Sequence, residues 1–409
     1  MTTTPHHHSL AAISPDRAGA LGLLSEMIKI DTRTQSTGES VLARMLVERM
    51  RAHGLESELQ EVSPGRFNAI GRLRGSGGGK SLMFNGHLDT NPPTEGWTVD
   101  PWGGLVDDEF IYGLGVSNMK AGCASYLVAV EELLRSTTRL RGDIILTFVV
   151  GELQGGIGTL RAIESGLRAD YFINCEPTDL AAMTLHAGSL KFTVELTGVT
   201  RHMSKREEAI DAITAACSLI PAINTMTFGG ASTTAYESVN RAHVGAIRGG
   251  LGRETVDSRP PQVADVVTLL GAARYAPSQD VTSVLNDIRT VAADVCRAYP
   301  GLEAVVTESR NTTGFPDFPP FETDPASPVV LAVNGAFATV RREPQRTGAV
   351  RPYCFYGTDA AHLQHRADMQ GVVCGPGGRY NTMPDERVDI ADYLDAIRIH
   401  LHTMQQLCG

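Results

Sequence analysis

Residues 81–89 read SLMFNGHLD: a short apolar run that stops on residues able to do chemistry, His87 and Asp89. Two further stretches share this grammar, DIILTFVVGE at 143–152 and ADYFINCE at 169–176, which end on Glu152 and Glu176. Continuous apolar runs of this length, bounded by polar residues, read as strands buried on both faces of a parallel sheet. In open α/β sheets, ligands bind beyond the carboxyl ends of such strands, so the polar clusters point to a site. Working outward, AGALGLLSEMIKI (18–30) and SVLARMLVERMRAHG (40–54) are expected to be helices, the second ending on Gly54. Up to about residue 185, helical and strand-like segments alternate, which predicts an α/β fold with a layered mixed sheet.

The middle of the chain differs. SLKFTVELTG (189–198) alternates like a half-exposed strand, and EEAIDAITAACSLIPAI (207–223) reads as an amphipathic helix. Strand-like pieces follow at 242–250 and 263–276, then a helix at 281–299 and a strand at 301–310. That βαββαβ order predicts a ferredoxin-like α+β domain at 187–309, inserted into a catalytic α/β domain formed by 1–186 and 310–409. GSGGGK at 75–80 lacks the flanking pattern of a phosphate-binding loop and is read as an ordinary loop.

A chain of 409 residues exceeds the usual size of a single core, which also favours two domains. Lys and Arg number 36 against 46 Asp and Glu, and the net charge of −10 argues against nucleic acid or an anionic membrane as partner. No apolar run reaches membrane-spanning length, and the N-terminus shows no secretory pattern. Seven scattered cysteines without a CxxC pair fit reduced thiols, so a cytoplasmic location is expected. His6, His7 and His8 are read as a tail without a metal role.

Seven segments in order carry a resemblance. They are NGHLDT (85–90), YGLGVSNMKAG (112–122, after WTVDPWGG), VVGELQGGIGT (149–159), INCEPT (173–178), GVTRHMS (198–204), FYGTDAAHL (355–363) and CGPGGRYNTMPDERVDI (374–390). Together they resemble the signature of the zinc aminoacylase and carboxypeptidase-type metallopeptidases, the family of acetylornithine deacetylase, succinyl-diaminopimelate desuccinylase and glutamate carboxypeptidase. The resemblance spans nearly the whole chain, including the inserted lid. It implies a two-zinc centre in which His87 and Glu176 are ligands of the first ion, Asp89 orients the ligand His, and Glu152 is the general base. It also implies that His202 stabilises the tetrahedral intermediate, often across a homodimer interface, and that Arg274 binds a substrate carboxylate.

Three positions depart from the family pattern. Asn118 stands where an Asp should bridge two ions, Leu153 follows Glu152 where a second acid belongs, and Asn381 or Thr382 stands where the late His belongs. Zinc takes three or four N, S or charged O ligands. His87 and Glu176, with Asn118, offer such a set to one ion, and the second ion keeps none of its own. The expectation is therefore no two-zinc centre, and either no metal or a single divalent ion. With Pro261 standing 13 residues before Arg274 in place of an expected Asn, the carboxylate pocket is only partly kept. Asn118 and Asn381 remain as polar candidates for holding substrate, and Thr358 and Asp359 read as a structural pair. Cys175 and Cys354 have no His expected beside them, which argues against a thiol nucleophile.

Three functional readings stay open. In the first, the chain is an enzyme on an amino-acid-like or N-acyl amino acid substrate, with Glu152 as acid–base. In the second, it is an amide hydrolase, deacylase or peptidase, that uses one metal. In the third, it is a non-catalytic binding protein with a two-domain clamp.

Overall fold

The computed structural model describes residues 15–136, 138–254, 261–309 and 316–409; the N-terminal stretch with His6 to His8 lies outside them. Two compact units emerge. The first takes the described residues up to Leu185 together with Glu322–Tyr353 and Thr358–Gly409, and the second takes His186–Phe321 with Cys354–Gly357.

The first unit is built on an eight-stranded sheet. Its order is Glu56–Ser63, Arg66–Leu73, Ile144–Val149, Leu82–His87, Tyr171–Asn174, Gln370–Val373, Ala182–Met183 and Thr347–Gly348. From Ile144–Val149 to Gln370–Val373 the four central strands run parallel. The others include antiparallel pairs, so the sheet is mixed, as the sequence predicts. Every residue of Leu82–His87 and of Ile144–Val149 is buried, the reason both read as unbroken apolar runs. Register sets His87 opposite Val149, so the chain leaves both strands at one level of the sheet, and the polar residues that follow are delivered together.

Helix Ala121–Arg135 is buried along most of its length. It packs against Ile390–Cys408, which in turn packs on Pro328–Arg341. Helix Arg17–Ile28, capped by the Asp16 carboxylate on the Ala18 amide, and helix Thr37–Ala52 share this core. The latter helix ends before Gly54, whose φ of +82° suits a residue without a side chain. Helices Ile157–Glu164 and Asp359–Ala367 pack on one another and place Thr159 beside Asp359.

In the second unit, strands Gly188–Thr197, Arg241–Gly250, Val266–Tyr275 and Glu303–Glu308 form an antiparallel sheet. In chain order, the strands lie second, third, first, fourth across it. Helices Ala212–Asn224 and Val281–Cys296 contribute Leu219 and Ile288 to a core with Phe192, Val194 and Val267. Asp211 and Asp280 cap these helices. Among the described residues, no helix is long and apolar enough to cross a membrane.

Candidate active site

At the end of its strand, the His87 ring is buried, with Nδ1 donating to the backbone carbonyl of Asp89 at 2.8 Å and Nε2 to Asn118 Oδ1 at 2.9 Å. Glu176 Oε1 lies 3.4 Å from the same Nε2. Both ring nitrogens thus face acceptors, an arrangement that suits the doubly protonated imidazolium. Burial opposes that charge, but the carboxylates of Glu176, Glu152 and Asp89 outweigh it and hold the His87 pKa well above its ordinary value.

The resemblance gave the Asp89 carboxylate the task of orienting His87. In the structure Oδ1 of that carboxylate is 3.6 Å from Nδ1, and the nearer acceptor is the backbone oxygen. Oδ1 accepts the Glu152 amide at 3.1 Å, while Oδ2 accepts the Leu153 amide at 3.1 Å and the Thr34 hydroxyl at 3.3 Å. Asp89 therefore pins the turn that presents Glu152. The turn runs through Gly151, Gly155 and Gly156, all with φ between 73° and 78°. A Cβ on Gly156 would come within 2.5 Å of Asp359 Oδ1, so the chain there needs glycine on both counts.

Glu152 and Glu176 are buried, and His87, Glu152 and Glu176 each offer a ligand atom within 4.8 Å of the others. Burial pushes the Glu152 pKa well above the ordinary carboxylate value; the positive His87 opposes this, and Glu176, Asp359 and Asp89 add to it. Asp359, whose Oδ2 accepts a bond from Thr159 Oγ1, is itself pushed up to about 7 by burial. Sequence reasoning placed Asp359 as structural; the packing of two helices brings it into the electrostatic surroundings of Glu152.

Asn118 sits on an irregular turn, Val116–Lys120. The buried Glu386 carboxylate accepts from the amides of Gly115 at 3.1 Å, Ser117 at 2.8 Å and Asn118 at 3.1 Å. This anchor comes from a segment 268 residues later in the chain. Its burial raises the Glu386 pKa to about 7 despite those three bonds. Lys120, buried and bonded to the Ile30 carbonyl, is lowered to about 7 by burial.

A cavity of about 270 Å³ adjoins His87. Asn118, Leu153 and Thr382 all line it, as do Trp97, Leu114, Met383 and Glu386. Of the two residues weighed for the late-His position, Thr382 borders the cavity and Asn381 does not. The buried Asn381 Oδ1 has no hydrogen-bond partner among the described residues.

The first unit thus assembles His87, Asp89, Asn118, Glu152 and Glu176. His202 and Arg274 belong to the second unit. The exposed His202 caps its own turn, with Nδ1 accepting from the Ser204 amide at 3.2 Å. Arg274 Nε donates to the Phe355 carbonyl at 2.7 Å, and burial lowers its pKa. Cys175 and Cys354 are buried and outside any disulfide, and burial raises the Cys175 pKa well above its ordinary value, which leaves it an inert thiol.

A buried imidazole ringed by carboxylates at the carboxyl ends of parallel strands defines a hydrolase-type site with the makings of a metal cluster. The chain belongs to the peptidase family M20/M25/M40, whose model matches residues 83–406. Over 387 residues it is 25% identical to the N-formyl-4-amino-5-aminomethyl-2-methylpyrimidine deformylase of Bacillus subtilis (strain 168), covering 87% of this chain and 86% of that one. It is also 25% identical over 400 residues to the succinyl-diaminopimelate desuccinylase of Psychromonas ingrahamii, covering 95% of this chain and 98% of that one. Among solved structures, the aminopeptidase PepT of Bacillus cereus matches with a TM-score of 0.77 at 19% identity, over 97% of this chain and 100% of that one. The Bacillus subtilis YxeP protein, described as a dinuclear metal-binding peptidase, matches at 0.66 and 16% identity over 95% and 98%. At these identities the structural matches speak for the fold.

Proposed function

We propose that this chain is a hydrolase that cleaves the amide bond of an N-acyl amino acid or similar substrate, with Glu152 moving the proton and without a two-metal centre. The observation that carries the reading is that Asn118, Leu153 and Thr382 border one cavity with His87. The three departures from the family pattern thus fall together on one side of the site.

The donor set decides how many ions fit. Leu153 has no ligand atom, Thr382 offers only a neutral hydroxyl, and the Asn118 oxygen is a neutral amide. A second divalent ion there would lose its hydration without anionic compensation. One ion is a different matter, since His87, once its Nε2 proton is given up, and Glu176 with the Asn118 oxygen form a set of the usual size. When bound, such an ion would polarise the acyl carbonyl. Glu152 stays available to take a proton from the attacking water and return it to the departing amine, giving a carboxylate and a free amine. Burial raises its pKa, which favours its holding the proton between the two transfers. His202 and Arg274 are proposed to meet the developing oxyanion and the substrate carboxylate, and Asn118 to orient the acyl group.

Self-association as a homodimer through the second unit is part of the proposal. Among the described residues its sheet ends on the edge strand Arg241–Gly250, which exposes Ile247 beside the exposed Leu270 of the neighbouring strand. Light scattering at micromolar concentration checks it, and a monomer would contradict it. The main reading is tested by metal analysis of the purified protein beside turnover of an N-acyl amino acid panel, with and without chelator. Two tightly held ions per chain would overturn the no-two-metal reading, and no turnover with any member would overturn the hydrolase.

A further inference from the structure

Where a two-metal enzyme would hold charge, this cavity presents hydrocarbon. Leu153 and Met383 border it with relative exposures of 38% and 42%, alongside Trp97, Leu114 and Pro92. Exposed apolar side chains gathered around a concave site mark a surface built to bury something apolar. Its ionisable lining residues are His87 and Glu386. Glu386 is committed to three backbone amides, and His87 to Asp89 and Asn118. Among the described residues, no lysine or arginine lines the cavity to receive an anion. Two buried lining groups have no hydrogen-bond partner among the described residues, the indole N–H of Trp97 and the hydroxyl of Thr90, and both suit an oxygen on the occupant.

We infer that this cavity is a subsite for an uncharged, apolar acyl group, aliphatic or aromatic, and that it selects against acyl groups ending in a carboxylate. The inference rests on the amide-hydrolase reading above and names its substrate class. His87 and Asn118 are where this cavity adjoins the site described above, so a scissile carbonyl placed there sets the chain it carries against the Leu153 and Met383 wall. A cavity of about 270 Å³ accommodates a phenyl or branched aliphatic group. A terminal carboxylate placed there would lose water and find Glu386 rather than a cation.

Affinity in a subsite of this kind should rise about fourfold for each methylene buried until the cavity is full. The test uses calorimetric binding of N-acetyl-, N-butanoyl-, N-hexanoyl- and N-succinyl-alanine to the Glu152→Gln variant, where turnover does not intrude. The expected result is tightening of about fifteenfold from acetyl to butanoyl, with succinyl no tighter than acetyl. Leu153→Asn and Met383→Gln, both at partly exposed positions that the core does not need, should flatten that gradient. Equal affinities along the series, binding too weak to measure throughout, or succinyl as the tightest ligand would each overturn the subsite. Wild-type turnover separates the two readings. A graded affinity with no hydrolysis leaves the subsite and removes the hydrolase, whereas hydrolysis without chain-length dependence does the reverse.

Discussion

Replacing Glu152 with glutamine removes one titrating group and almost nothing else. The side chain is buried, and the hydrogen bond that locates it runs from its own backbone amide to Asp89, so it survives the change. Gln keeps the volume and loses the exchangeable proton. A positioned general base contributes about 10²–10⁴ in rate, so turnover should fall by that factor, a barrier increase of about 3–5 kcal/mol. Stability should not follow it down. Burial disfavours the charged form of Glu152, His87 opposes this, and Glu176, Asp359 and Asp89 add to it, so a neutral amide in its place leaves no buried charge to compensate. The assay pairs kcat on an N-acyl amino acid with the thermal unfolding midpoint of both proteins at pH 8. Full activity in the variant would remove Glu152 as the proton carrier. A midpoint falling with kcat would show that the residue holds the fold rather than the chemistry.

Other outcomes follow from the same contacts. Dialysed protein should carry at most one divalent ion per chain by plasma mass spectrometry, and the triple change Asn118→Asp, Leu153→Glu, Thr382→His should raise uptake towards two; two ions in the unmodified chain would contradict the donor-set argument. Asp89→Asn swaps one carboxylate oxygen for a donor facing the Glu152 or Leu153 amide and should cost about 1.5–3 kcal/mol in denaturant unfolding. Turnover should drop with it as the Glu152 turn loosens, and unchanged stability would refute the pinning role. Glu386 holds its proton up to about 7 in the folded chain against an ordinary 4.5, so its contribution is greatest below the unfolded value and is lost as pH rises through 7, on the order of 3 kcal/mol in all. Asp359, also at about 7, adds in the same direction. Lys120, lowered from 10.5 to about 7, restores stability between 7 and 10.5, so urea midpoints should pass through a minimum near neutrality, shallower in Glu386→Gln.

The strands and helices were readable because their signals are local. SLMFNGHLD and DIILTFVVGE announce parallel strands by unbroken apolar runs, and burial on both faces is why the runs are unbroken. The order of strands in the inserted unit came from alternation and helix periodicity, which need only a few neighbouring residues to be seen. The family's signature placed His87, Asp89, Glu152 and Glu176 in the chain, and the losses at Asn118 and Leu153 were visible by comparison with it.

What no local signal carries is which side chain meets which across the chain. The partners of Asp89, the anchoring of Asn118 by Glu386, and the approach of Asp359 to Glu152 join segments tens to hundreds of residues apart. Thr382, rather than Asn381, borders the cavity because of how the backbone turns there; its φ of 54° is a conformation the sequence does not announce. The pKa shifts exist only once burial and neighbouring charge are set together by folding. Sequence alone determined the elements and the residue types available for chemistry; tertiary packing decided their partners, their charge states and the apolar character of the cavity, since each depends on groups brought close only in the folded chain.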